Sequence, residues 1–471
     1  TDKADSAIIT VTTPTGQIAV SNGLLCEKKY NPNNNKVTWI WKTHYPIAYY
    51  LISITISNYK EYTYKFFDYQ VKDSVLYQNF IYNDESYFAE NKDQIDDVVK
   101  VISYFEQILN YPYPFYKEKY GQVNVPISGG MENQTITTLS DFSFALVTHE
   151  LAHSWFGNLV TCSNWQDIWI NEGFATYLNY LAVEHFYPEN KEYWLETTIN
   201  QILKERDESI YVPEKNKYFE PRIFNYRTTY LKGAMLIHMI RNKIGNDNLF
   251  FGVLSDFLKK YAYRNAGTNE FISLLEEKTN TDWHAFFNQW YYGSGYPIIS
   301  AEAKIKLNNI NLSVKLTSSF EGNRFSNISL PLRIEFDNNY DTTINLILND
   351  TLQEYTLFFN NKVKNIIGNY NKTLLAQIDI KMTEEQIEDT SECIVYPNPS
   401  KDCFWIGFPK GNNNNKEVFV YDTLGKSISK YKTNKQFYHI CLPPTLQGIF
   451  YLEINDGIKK YKSTLIKIDN R

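Results

Sequence analysis

The stretch from His149 to Glu172 constrains this chain more than any other. It reads His149-Glu150-Leu151-Ala152-His153, then 18 further residues, then Glu172. Histidines four apart lie on one face of a helix, one turn above the other. The local fold must therefore be a helix that aims two imidazoles at one point, with Glu172 arriving from a second helix. Two imidazoles and one carboxylate, with a position left open, are the ligand set of a catalytic zinc ion rather than a structural one, which closes with four protein ligands. Glu150 stands beside them, placed to take a proton from a water on that ion. Phe144, Leu146, Val147, Leu151, Trp155 and Phe156 supply the apolar positions of a buried helix. A polar cluster there must be satisfied, and a metal does so.

Upstream runs Gly129-Gly130-Met131-Glu132-Asn133, and downstream Asn171-Glu172-Gly173-Phe174-Ala175. Paired glycines let a backbone approach a substrate closely. The preceding 122–126 run is expected as a sheet edge that pairs with an extended peptide. Glu132 would then offer a carboxylate to a free α-ammonium group, and Met131 would line the pocket for the first side chain. Taken alone, this segment reads better as a Gly-rich turn with an exposed glutamate. Its place before the histidine helix favours the binding role. Tyr230, in Tyr230-Leu231-Lys232-Gly233-Ala234, is one of 38 tyrosines and stands out only through that context. Its plainer alternative is a half-buried aromatic at a helix start.

In this order the segments resemble the aminopeptidase N family of zinc exopeptidases, which also includes an epoxide hydrolase of leukotriene metabolism. The resemblance spans about residues 1–385 and is strongest over 120–245. It implies a multidomain α+β fold, with a thermolysin-like, mainly helical zinc catalytic domain flanked by β-domains. It also implies one Zn2+ on His149, His153 and Glu172, with Glu150 as general base and acid and Tyr230 as oxyanion donor. Gly129, Gly130, Met131 and Glu132 would hold peptides by their free N-terminus. The expected activity is that of a secreted zinc aminopeptidase. The alternatives are an epoxide hydrolase, or an inactive zinc-binding surface protein that captures peptides.

Four regions are expected: a β remnant over 1–66, the catalytic region over 67–298, a β-sandwich over 299–385, and a small β-domain over 386–471. By the resemblance, residues 2–4 fall late in the family's first β-domain. Most of that domain is expected to be missing, together with a polar residue that it adds to the amine clamp. Strands are expected at 7–12, 17–25, 36–42 and 48–56. Helices are expected at 95–109, 133–155, 171–186, 190–207, 228–244, 246–263, 268–279 and 282–293, from apolar residues at three and four spacing. An acid-rich, aromatic-free stretch, Thr383–Ser391, separates the last region.

That region opens on Ile394-Val395-Tyr396-Pro397-Asn398-Pro399-Ser400. It continues through Val418–Lys426 to Leu446-Gln447-Gly448-Ile449-Phe450-Tyr451. These segments resemble the sorting domain of the type IX secretion pathway, against the plainer alternative of a carbohydrate-binding or adhesion module. The resemblance implies the type IX secretion machinery as a partner. The protein would then be secreted, or held at the outer-membrane surface of a Bacteroidetes-like bacterium.

A net charge of −6 gives no basic footprint, which argues against a nucleic-acid partner. No transmembrane segment is expected, because the longest apolar stretches, such as Ala48–Ile56, are too short. Cys162 is not needed as a ligand. Among Cys393, Cys403 and Cys441, one disulfide would suit an exported protein. His44, His185, His238, His284 and His439 read as packed or surface positions, and Arg227 and Lys232 as local salt-bridge partners.

Overall fold

The computed structural model describes residues 2–306, 309–359, 361–384, 393–396, 398, 400, 403–408, 415–435 and 437–468. Most of the expected acid-rich linker, from residue 385 to 391, lies outside them, as do Pro397 and Pro399. Helices and sheets occupy separate stretches of the chain, an α+β arrangement.

A three-stranded antiparallel sheet forms first, in the order Ala7–Pro14, Lys36–Thr43, Leu24–Asn31. Trp39 and Trp41 of its middle strand share a core with Tyr59, Phe80, Val123 and Ile136. The strand expected over 48–56 is instead a single turn, Tyr49–Leu51, followed by the strand Ile54–Ser57.

The sheet behind the cleft has five strands in the order Gly130–Met131, Thr137–Leu139, Tyr120–Asn124, Asp73–Tyr82, Tyr59–Asp68. Two expectations are corrected here. The run at 122–126 is not an edge, because Gln122–Asn124 pairs with Thr137–Leu139 on one side and Tyr120–Val123 with Tyr77–Phe80 on the other. The edge is Gly130–Met131. The helix expected over 133–155 is also shorter, since Thr137–Leu139 is claimed by this sheet and helix α2 spans only Phe144–Ala152. Moreover, Tyr59–Asp68 and Asp73–Tyr82 form one hairpin, paired from Tyr59↔Tyr82 to Asp68↔Asp73. That hairpin favours a region boundary near Asn58 rather than within the strand at residue 66.

Helix α1, Glu85–Leu109, starts where the Asp84 side chain accepts from the Tyr87 amide and buries Ile95, Val98, Val101, Ile102 and Phe105. Helix α3, Trp169–Phe186, is buried from Trp169 through Ala182. It lies against the segment that follows α2 through the stacked rings of Phe156 and Phe174, 4.2 Å apart. Against the helix Gly233–Ile244 it packs at a glycine pair: a Cβ on Gly173 would sit 3.1 Å from the Gly233 backbone. The expected helix over 228–244 begins as a wider π-helical turn, Tyr226–Lys232.

Beyond Tyr296, a four-stranded and a three-stranded sheet face each other between residues 297 and 384. Gly368 of one lies where a Cβ would meet Ile378 and Ile380 of the other at 2.9 Å. One continuous core runs from Phe66 to Ala376. The C-terminal strands, Ile394–Tyr396 to Lys460–Lys467, make a three- and a four-stranded sheet with a separate core around Phe404, Val418, Leu452 and Leu465. The disulfide expected there joins Cys403 to Cys441 on paired strands. Among the described residues, no helix is long and apolar enough to cross a membrane.

Candidate metal and peptide site

His149 and His153 sit on the last turn of α2 and at its end, and Glu172 projects from the first turn of α3. Their donor atoms meet. His149 Nε2 and His153 Nε2 are 3.2 Å apart, and Glu172 Oε2 lies 3.4 Å from the first and 3.2 Å from the second. Each imidazole is oriented from behind. Phe156 O can only accept, so the His153 Nδ1 at 3.0 Å carries the proton. Thr176 spends its hydroxyl proton on Glu172 O, so at 3.5 Å it accepts from His149 Nδ1. With Nδ1 protonated on both rings, each Nε2 faces the Glu172 carboxylate oxygen, a set satisfied by positive charge at that point, either a proton on an Nε2 or a metal ion shared by all three donors. Zinc bound at about 2.0–2.1 Å in tetrahedral geometry sets neighbouring ligand atoms roughly 3.3 Å apart, so the donor set fits that ion. Gly157 permits the orientation: at φ 134° it takes a backbone that L side chains avoid, and a Cβ would lie 3.0 Å from His153 Nδ1.

The electrostatics call for positive charge at the same point. Burial by itself lowers His153, but the carboxylates of Glu172, Glu132 and Glu150 outweigh it and push the ring up to about 10. Burial opposes ionisation of Glu172 too, yet His153 and His149 hold it well below the usual carboxylate range. Glu150 goes the other way. Burial raises it well above that range; His153 opposes the rise, and Glu132 and Glu172 add to it.

Glu150 lies directly under the edge strand. A Cβ on Gly130 would fall 2.6 Å from Glu150 Oε1, so this close approach needs glycine. Gly129 precedes it with φ 80°, and its carbonyl accepts from the Ser140 amide. Glu132 is buried within 4.8 Å of Glu150 and His153, and its carbonyl accepts from Asn158 Nδ2 at 2.8 Å. The Tyr230 ring stacks on His149 at 5.9 Å. Burial, then the three carboxylates, raise its phenol far above the ordinary value, which leaves a neutral donor. Met131 lines the same cleft of about 1460 Å³, whose wall includes Tyr50, Trp165, Tyr193, Trp194, Phe224 and Tyr226.

All nine candidate residues thus line or adjoin one cleft. Arg227 and Lys232 do not; they donate to the carbonyls of Glu205, Asp207 and Glu208 and fix the loop beside the Tyr230 turn. His238 is packed among Tyr177 and Tyr180, as expected. Tyr50, Asn158, Asn171 and Thr176 are further groups around the site. Thr176 had a signal, four residues past Glu172 on the same helix face, whereas Tyr50 had none.

Residues 94–290 match the family described as Peptidase family M1 domain. This stretch of the chain is similar to a peptidase family M1 domain. Residues 394–468 match the Secretion system C-terminal sorting domain. Aminopeptidase M1 of Arabidopsis thaliana is 29% identical over 323 residues, 63% of this chain and 35% of the relative. Aminopeptidase M1-C of Oryza sativa subsp. japonica is 32% identical over 247 residues, 48% of this chain and 28% of the relative. Aminopeptidase N of Lactococcus lactis subsp. lactis is 27% identical over 230 residues, 44% and 27% respectively. The chain therefore spans about a third of the length of the curated relatives it matches.

Proposed function

We propose that this M1-domain chain is an exported zinc aminopeptidase that removes residues from the free N-terminus of peptides. The observation that carries the reading is the convergence of His149 Nε2, His153 Nε2 and Glu172 Oε2 within 3.4 Å, in the cleft that also holds Glu132, Glu150 and Tyr230. When bound to those three donors, zinc supplies Lewis acidity that lowers the pKa of a water and polarises a carbonyl.

The chain's own groups do the rest. Glu132 binds the substrate's α-ammonium, and the exposed edge at Gly130–Met131 offers its backbone to the peptide. Held end-on in this way, the peptide presents its first bond and no other. Glu150 takes a proton from the attacking water and delivers it to the leaving amine. Burial raises this carboxyl, which favours its holding a proton taken from water until the leaving amine accepts it. Tyr230, a neutral phenol, donates a hydrogen bond to the oxyanion as charge develops there. The sorting domain supports export by the type IX pathway, ending in release or surface attachment.

The test is a panel of aminoacyl-anilides, assayed with the zinc-loaded chain, with a chelator, and with Glu150→Gln. Turnover should disappear with the chelator and fall about 10²- to 10⁴-fold in Glu150→Gln, with zinc retained. A folded, zinc-loaded chain that turns nothing over would instead be a peptide-capturing protein.

A further inference from the structure

With its amine held at Glu132, a peptide laid on the open edge runs from Met131 towards Gly129, away from the clamp. That edge is antiparallel to Thr137–Leu139, with Met131 opposite Thr138 and Gly130 opposite Leu139. One step on, the Ser140 amide donates to Gly129 O at 2.9 Å, and Asp141 follows. At about 3.4 Å per residue, two strand steps from Met131 bring a peptide's second and third residues to this point.

Asp141 is exposed on the wall of the cleft and fixed there. Its Oδ1 accepts from the Ser143 amide at 2.9 Å, and its Oδ2 from the Ser140 hydroxyl at 2.9 Å. Ser143, then Ser140, hold the carboxyl below its ordinary value, so it is charged at neutral pH. The wall next to it is aromatic. Phe144 meets Tyr187 edge-on at 4.9 Å, and Trp194 and the 73% exposed Tyr193 also line the cleft. No lysine or arginine is among the residues that line it, whereas four carboxylates are, those of Glu132, Glu150, Glu172 and Asp141. The neighbouring turn Pro188–Asn190 and helix Lys191–Ile202 carry Glu189, Glu192 and Glu196 against Lys191. A fixed carboxylate beside aromatic faces suits a long cationic side chain, which pairs with the one and lies over the other.

We infer that Asp141 is a specificity residue that favours peptides with lysine or arginine just after the bond that is cut and disfavours acidic ones. The inference rests on the aminopeptidase reading, and its test keeps the two apart.

Initial release of leucine by the zinc-loaded full chain would be compared for three amidated peptides, Leu-Lys-Lys-Ala-Ala, Leu-Gln-Gln-Ala-Ala and Leu-Glu-Glu-Ala-Ala. In the wild type kcat/KM should fall in that order, with about tenfold between first and last, since an exposed charge pair is worth about two- to fivefold for each sign. Asp141→Asn, which keeps an acceptor for the Ser143 amide, should cut that ratio to about twofold or less. Glu192→Gln removes the same charge from the neighbouring helix and should leave most of the ratio in place. Equal rates in the wild type, a ratio that survives Asp141→Asn, or a ratio lost equally in both variants would overturn the inference. Leucine released from the neutral peptide would in each of those cases still uphold the aminopeptidase. No release from any of the three would sink that reading and the inference with it.

Discussion

Around His153, the carboxylates of Glu132, Glu150 and Glu172 are buried and the His149 ring is half-buried, beside a core that also holds Trp155, Trp169, Phe156 and Phe174. Among the described residues, the C-terminal sheets have a core of eleven buried apolar side chains, and a covalent link joins Cys403 to Cys441. The two regions meet opposite problems. The cleft has apolar cover in excess and uses it to hold charges that need a cation among them. The C-terminal unit has little to bury, and small cores gain most from a staple.

The comparison breaks most sharply if each region is deprived of its own device. Stripping the metal from the zinc-loaded chain should destabilise the catalytic region by about 4 kcal/mol where zinc was present at a thousandfold over its Kd, and leave the C-terminal unit unchanged. Reduction, or Cys403→Ser with Cys441→Ser, should do the reverse. It should cost the C-terminal unit about 2–4 kcal/mol with no change in turnover or zinc content. Hydrogen exchange resolved by peptide reads both regions in one sample. Equal responses of both regions to either treatment would erase the distinction.

A smaller cut tests how tightly the helices hold the ligands. In Gly173→Ala the new methyl meets the Gly233 backbone at 3.1 Å, where no flexible side chain can yield. Moving α3 away should cost about 1–3 kcal/mol and weaken zinc binding, because Glu172 moves with it. Denaturant melts and zinc titration check this, and unchanged affinity would mean that Glu172 is held independently of the crossing.

The effect that is smallest per pH unit is a stability slope from a lysine buried without a carboxylate ion pair among its hydrogen bonds. Lys119 Nζ donates to Ser21 O at 3.2 Å and Gln78 Oε1 at 3.1 Å, over the Trp41 ring. Burial outweighs Glu118 and Glu61 and pulls it from 10.5 down to about 7. Between those values the unfolded chain binds more protons than the folded one, so this group makes stability rise with pH from about 7 upwards and leaves it flat below. The wild type should therefore gain on Lys119→Met across that window, by at most one proton, or about 1.4 kcal/mol per pH unit. A gap between the two proteins that ignores pH would mean that Lys119 stays charged.

Much of the cleft was legible in the sequence because its parts are local. The spacing of His149 and His153 forces a shared helix face, and Glu150 and Glu132 come with their motifs. What the sequence hid is set by partners far along the chain. Thr137–Leu139 looks like the start of a helix until Gln122–Asn124 and Gly130–Met131 claim it for a sheet. The alternation of Tyr59–Asp68 reads the same whether it belongs to the N-terminal strands or to the hairpin with Asp73–Tyr82. Tyr50 is one tyrosine among 38, and only its amide partner from α3 singles it out.

The most direct test of the account is mass spectrometry over time on one synthetic peptide and its N-acetylated copy, each incubated with the zinc-loaded chain. The account predicts a ladder of products shortened stepwise from the free N-terminus, while the acetylated copy stays intact. Internal fragments, or equal cleavage of both peptides, would contradict it.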